Sequence, residues 1–163
     1  MSKYNFLVPT LTEEQTDVAV EQLQIALDVL NDLALTLKHA HWNVTGPNFI
    51  AVHEMLDPQI DEVRGAVDTI AERIATLGGD PCGLCCAVCC DGCRDVLPEY
   101  PVKGRAATEV HLKALDEQYV AVCKFMREAI AKLDEADVIS SNVLQDALQG
   151  LEQFQWFVRS HLI

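Results

Sequence analysis

Positive charge is scarce in this sequence. Lys and Arg number 12 against 25 Asp and Glu, a formal net charge of −13. Phosphate backbones are held by clustered Lys and Arg, so nucleic acid is not an expected partner. The first 37 residues carry one basic residue, Lys3, against Glu13, Glu14, Asp17, Glu21, Asp28 and Asp32. Long apolar runs are also missing, although half of the residues are hydrophobic, so no membrane span is expected. No apolar segment of the secretory type follows Lys3, which makes the cytoplasm the expected location. There is no internal repeat and no low-complexity tail. Residues 1–163 suffice for one domain with a core of its own.

Apolar residues recur at helical spacing. Thr12-Glu13-Glu14-Gln15 has the form of a capping box and opens a helix that runs on through Val18, Leu23, Ala26, Leu27, Leu30, Ala34 and Leu37. Gly46-Pro47 ends it or follows its end. A second helix is expected over about 48–77, stopping at Gly78-Gly79-Asp80-Pro81, with a kink at Pro58, which lacks a backbone donor. A third is expected over about 105–134 and a fourth over about 141–161, with Ser140 or Ser141 as N-cap. Two helical pairs joined by a long connection give an all-α, ferritin-like four-helix bundle.

Five residues in the first two helices carry the chemistry: His41, His53, Asp57, Asp68 and Glu72. Imidazole with carboxylate is the ligand set of a non-haem iron centre. With His53 at zero on a helical wheel, Asp57, Asp68 and Glu72 fall at about 40°, 60° and 100°, on one stripe. Asp57 and Asp68 nevertheless lie roughly 16 Å apart along the helix axis, whereas one ion draws its ligands to within about 2.0–2.2 Å. A second chain has to complete the site. In an antiparallel two-fold pair of this helix, facing positions have a constant sum of residue numbers. His53 with Glu72 and Asp57 with Asp68 share one sum, so one register builds two sites per dimer, and His41 can complete the nitrogen side. The same register sets Asp61 opposite Arg64 of the second chain.

The run HWNVTGPNFIAVHEMLD followed by VDTIAERIATLGG resembles the ferroxidase signature of the Dps miniferritins, the DNA-binding proteins from starved cells. LPEYP at 97–101 and GLEQFQWF at 150–157 also resemble family features, so the likeness extends from about Leu11 to Phe157. The resemblance implies a homododecameric shell built from two-fold dimers, with a short extra helix between the second and third long helices. It implies di-iron ferroxidase sites that oxidise Fe²⁺, preferably with hydrogen peroxide, and store a ferric mineral, protecting against oxidative damage. By position, His41, His53 and Asp57 match ligands from one subunit and Asp68 and Glu72 those from its mate. Asp146 and Glu152 match acidic residues lining a three-fold pore, where Asn142 stands at a place commonly held by Asp. Family members generally bind DNA through basic tails, which this sequence lacks, so DNA binding is not expected. The acidity instead favours solubility and a field that concentrates Fe²⁺.

The segment CGLCCAVCCDGC departs from the family pattern. Cys82, Cys85, Cys86, Cys89, Cys90 and Cys93 follow the spacing of one helix face, and thiolates in this number favour an iron-sulfur cluster first, then Cu(I) or Zn²⁺. Packing of small apolar side chains is the alternative. Among lesser candidates, His39 suits a polar or supporting role, Trp42 could intercept oxidising equivalents, and Trp156 and Phe157 suit the core or a symmetry contact. His111 and His161 suit the surface, and Cys123 a buried position. Two other functions stay open: soft-metal buffering by the Cys run without catalysis, and nucleoid binding.

Overall fold

The structure is a computed structural model that describes residues 3–84 and 96–163. Four long helices dominate it: α1 (Glu13–Asn43), α2 (Phe49–Thr76), α3 (Thr108–Ala136) and α4 (Val138–Ser160). α1 packs chiefly on α2 and α3 on α4, and α1 meets α3 across the bundle. Leu23, Leu27, Leu30, Leu33 and Leu37 of α1 meet Leu56, Ile60, Ile70 and Ile74 of α2 and Leu115 and Tyr119 of α3 in a solvent-free core. Burying each such side chain contributes about 1.5–3 kcal/mol. No described helix is long and apolar enough to cross a membrane.

The expected capping box forms. Thr12 Oγ1 accepts from Gln15 N at 3.2 Å, and Thr12 N donates to Gln15 Oε1 at 3.0 Å. α2 runs on through Pro58. It ends at Gly78, whose φ of +86° suits glycine. A Cβ there would stand 2.2 Å from the Phe6 carbonyl oxygen, because the N-terminal segment crosses this turn and Asn5 N donates to Gly78 O. A short parallel ladder, β1 (Val44–Thr45) with β2 (Ala106–Ala107), pairs Val44 with Ala106 and Thr45 with Ala107. Helical periodicity carries no sign of this ladder, which ties the α1–α2 turn to the far end of the long connection. The short extra helix expected in that connection falls on residues outside those described.

The start of α4 corrects an expectation. The N-cap is Asp137, not Ser140 or Ser141, which lie inside the helix and are fully buried. Asp137 closes α3, its N–H reaching Leu133 O at 2.8 Å, and its carboxylate then accepts from Ile139 N and Ser140 N. Arg73 of α2 adds a 2.7 Å ion pair to Asp137 and donates to Ser140 Oγ at 3.0 Å. Asp137, three residues before Ser140, is the better cap because it serves both helices and a cation together. Burial raises the Asp137 pKa, but Ser140, Arg73 and Ile139 N–H outweigh it and bring the carboxyl below its ordinary 3.8. A lowered folded-state pKa contributes stability that is complete above the unfolded value and lost as pH falls through the folded one. Asp137→Ala is therefore expected to cost about 3 kcal/mol at neutral pH. In urea titrations the advantage of the parent over Asp137→Asn should hold near neutrality and shrink below about pH 4.

Candidate metal half-site

His41 sits in the last turn of α1 and His53 in the second turn of α2, brought together by the tight reversal at 44–48, where Gly46 takes a φ of +114°. Their rings stack with centroids 3.7 Å apart and planes 23° apart. Each bonds the other's backbone: His41 Nδ1 donates to His53 O and His53 Nδ1 to His41 O, both at 2.9 Å. The His41 carbonyl belongs to the last turn of α1, where no intrahelical partner follows, so His53 also caps that helix. Carbonyl acceptors put the proton on Nδ1, which leaves both Nε2 lone pairs available to a metal. His41 is 6% exposed, and Phe49 lies against the His53 ring at 5.0 Å.

Asp57 follows His53 by one turn, but its carboxylate is turned elsewhere. Oδ1 lies 2.7 Å from Lys38 Nζ and 3.3 Å from His41 Nδ1, the nitrogen that faces the backbone. The Lys38 hydrogen bond is the chief reason the Asp57 pKa lies below its usual value. Lys38 was missed from sequence, although it stands three residues before His41 on the same helix face. Asp68 and Glu72 are exposed further along α2 and join neither histidine. Among the described residues, no three His, Cys, Asp or Glu side chains converge closely enough in one chain to hold a metal.

Beyond the half-site, α1 presents Leu35 and Trp42 to solvent at 66% and 67% exposure, one to either side of Lys38 in the chain, and Ile50 at the start of α2 is 58% exposed. Asp146 is exposed and lines a groove between α2 and α4 with Glu62, Gly65 and Thr69. Glu152 is engaged by Arg127, whose Nε lies 3.0 Å from Oε1. Trp156 is 62% exposed and so does not belong to the core of the chain.

Two histidines differ in their surroundings. His161 is exposed, as expected. His111, expected at the surface, is fully buried because the loop before β2 folds over it. Tyr100 Oη lies 2.8 Å from His111 Nδ1, and His111 Nε2 lies 3.1 Å from Gly104 O. His39 takes a polar role, its Nε2 2.9 Å from Val102 O. Cys123 is buried, which pushes its thiol up to about 11. Of the Cys run, Cys82 is described: Gln24 of α1 clamps its peptide, Nε2 donating to Cys82 O and Oε1 accepting from Cys82 N, both at 2.9 Å. Cys85, Cys86, Cys89, Cys90 and Cys93 lie outside the described residues.

Residues 20–163 match the model of the ferritin-like domain family. The chain is 47% identical over 158 residues to the DNA protection during starvation protein of Mycolicibacterium smegmatis, covering 97% of this chain and 84% of that one. Dps of Mycobacterium smegmatis superposes with a TM-score of 0.90 at 46% identity, over 96% of this chain and 87% of that one. Dps of Microbacterium arborescens, solved in a high iron form, superposes with a TM-score of 0.81 at 29% identity, over 96% and 99% of the two chains. The fold, the sequence signature and these likenesses agree: the chain belongs to the Dps miniferritins of the ferritin-like family.

Proposed function

We propose that this protein is a ferroxidase and iron store, in which Fe²⁺ is oxidised at sites shared between two chains and the ferric product is held inside a shell of twelve. The observation that carries this reading is the reciprocal His41–His53 pair. It leaves two imidazole Nε2 lone pairs uncommitted, with one carboxylate near the pair and the remaining acidic candidates a long way down α2. In the antiparallel register the partner's Asp68 and Glu72 supply the missing oxygens, and this chain's Asp68 and Glu72 supply them in return at the second site. The exposed Leu35, Trp42 and Ile50 beside the half-site suit burial in such a pairing. The high iron form of a relative with the same fold supports iron as the cargo.

Fe²⁺ and hydrogen peroxide are the substrates. Two Fe²⁺ each give one electron, and peroxide accepts both, so no hydroxyl radical is released. The imidazole and carboxylate donors favour Fe³⁺ over Fe²⁺ through the charge they bring. Asp57 must leave Lys38 as iron arrives, which makes Lys38 a stand-in cation for the empty state. Asp146 and the other acidic side chains draw Fe²⁺ inward, while Glu152 contributes less because Arg127 neutralises it.

The Cys run supports an additional metal centre, with an iron-sulfur cluster preferred over Cu(I) or Zn²⁺. The Gln24 clamp on Cys82 anchors the head of that run to α1. Protein purified anaerobically should carry metal at the thiolates, with acid-labile sulfide if it is a cluster. Colourless protein with six titratable thiols in this run and no metal contradicts the centre.

Asp68→Ala should slow peroxide-driven Fe²⁺ oxidation by about tenfold or more in stopped-flow assays while helicity is kept, as expected when a ligand or its support is lost. Oxidation at the parent rate contradicts the shared site. Lys38→Met should tighten Fe²⁺ binding by several-fold in anaerobic calorimetry, because Asp57 is released from its competing cation. Unchanged or weaker binding contradicts the stand-in role.

A further inference from the structure

The chain has three tyrosines, and each phenol hydrogen-bonds to a different kind of acceptor. Tyr4 donates to Asp17 Oδ1 at 2.6 Å, Tyr119 to Gln59 Oε1 at 2.7 Å and Tyr100 to His111 Nδ1 at 2.8 Å. A phenol that loses an electron becomes a strong acid, and its proton leaves along the hydrogen bond when the acceptor is a base. The Gln59 amide is not one near neutral pH. Asp17 is a weak one, since Lys3 and then Tyr4 hold its pKa below the ordinary carboxylate value. His111 is the imidazole of the set, with an intrinsic basicity near neutrality.

The geometry around His111 favours its acceptor role. Gly104 O requires a proton on Nε2, so Nδ1 presents its lone pair to Tyr100. Burial lowers the His111 pKa, which keeps the ring neutral and ready to accept. Burial also pushes the Tyr100 phenol above its ordinary value, so it stays protonated until oxidised. His39 and His111 are the titratable rings facing Tyr100, with His39 edge-on at 5.9 Å and 81°. His39 precedes His41 by two residues, about 3 Å of helix rise. On its other side Tyr100 lines a solvent-open pocket with Asp32, Thr36, Glu99 and Gln118.

We propose that Tyr100 and His111 form a redox pair, in which Tyr100 gives up one electron and passes its phenolic proton to His111 Nδ1. The source of the oxidant rests on the ferroxidase reading above. When peroxide meets a site holding a single Fe²⁺, the iron supplies one electron and Tyr100 the second. Peroxide takes both with two protons from solvent and leaves as two waters. Fe³⁺, a neutral tyrosyl radical at Tyr100 and an imidazolium at His111 remain. The pair thus completes a two-electron reduction that would otherwise release a hydroxyl radical.

The test separates the pair from the source of its oxidant. Iron-free protein is flash-oxidised with ruthenium tris-bipyridine and persulfate and frozen for electron paramagnetic resonance. A neutral tyrosyl signal is expected in the parent and in Tyr4→Phe, and its loss in Tyr100→Phe. In His111→Gln, which keeps the phenol and removes the base, the yield should fall by at least about tenfold, the lower side of what a positioned proton acceptor contributes. Tyr100→Phe checks the assignment independently should His111→Gln fail to fold. A tyrosyl signal of parental yield in Tyr100→Phe overturns the pair. The parent is then treated with less than one Fe²⁺ per site and excess peroxide, where the same signal is expected. A signal from the flash and none from iron and peroxide leaves the pair standing and overturns the iron site as its oxidant.

Discussion

Two hydrogen bonds running in opposite directions between His41 and His53 organise this end of the molecule. Each imidazole donates to the other residue's carbonyl, so the pair acts as a staple across the α1–α2 turn as well as a source of donor atoms. Their net contribution is about 1–3 kcal/mol together. Their larger effect is on orientation: ring stacking and a fixed Nδ1 proton leave little freedom in where the two Nε2 atoms point. The helix end at Asn43, the tilted contact of Phe49 with His53 and the ladder that ties Val44 to Ala106 all converge on this turn.

Charge is arranged on the same scale. In a chain with twice as many acidic as basic residues, several cations are spent inside single-chain networks: Lys38 on Asp57, Arg73 on Asp137 and Arg127 on Glu152. Arg73 is a structural cation, since it joins α2 to the α3–α4 corner and is largely buried. Lys38 differs, because Asp57 is half exposed and the ion pair can open when a divalent cation competes. The same kind of pairing serves stability at the buried corner and, in the proposed function, occupancy at the exposed one.

Helix count, the capping box at Thr12 and the stop at Gly78 were legible because each is a local rule written in consecutive residues. Asp137 was passed over for the serines after it because propensity alone does not reveal that one carboxylate can close α3, open α4 and meet Arg73. The β1–β2 ladder and the burial of His111 depend on where a long connection lands, which no periodicity encodes. At the half-site, the ligand types were legible from chemistry and spacing. The reciprocal carbonyl bonds and the Lys38 contact were not, since they arise from a turn bringing separate helices side by side.

Complementation between two damaged chains tests most directly the proposal that half of each site comes from each chain. In a heterodimer of His53→Ala with Glu72→Ala, one site receives both lesions and the other receives neither. Each variant alone should oxidise Fe²⁺ slowly, and the isolated heterodimer, assembled with differently tagged chains, should recover about half the parent rate per chain. A heterodimer as slow as either variant contradicts the shared site.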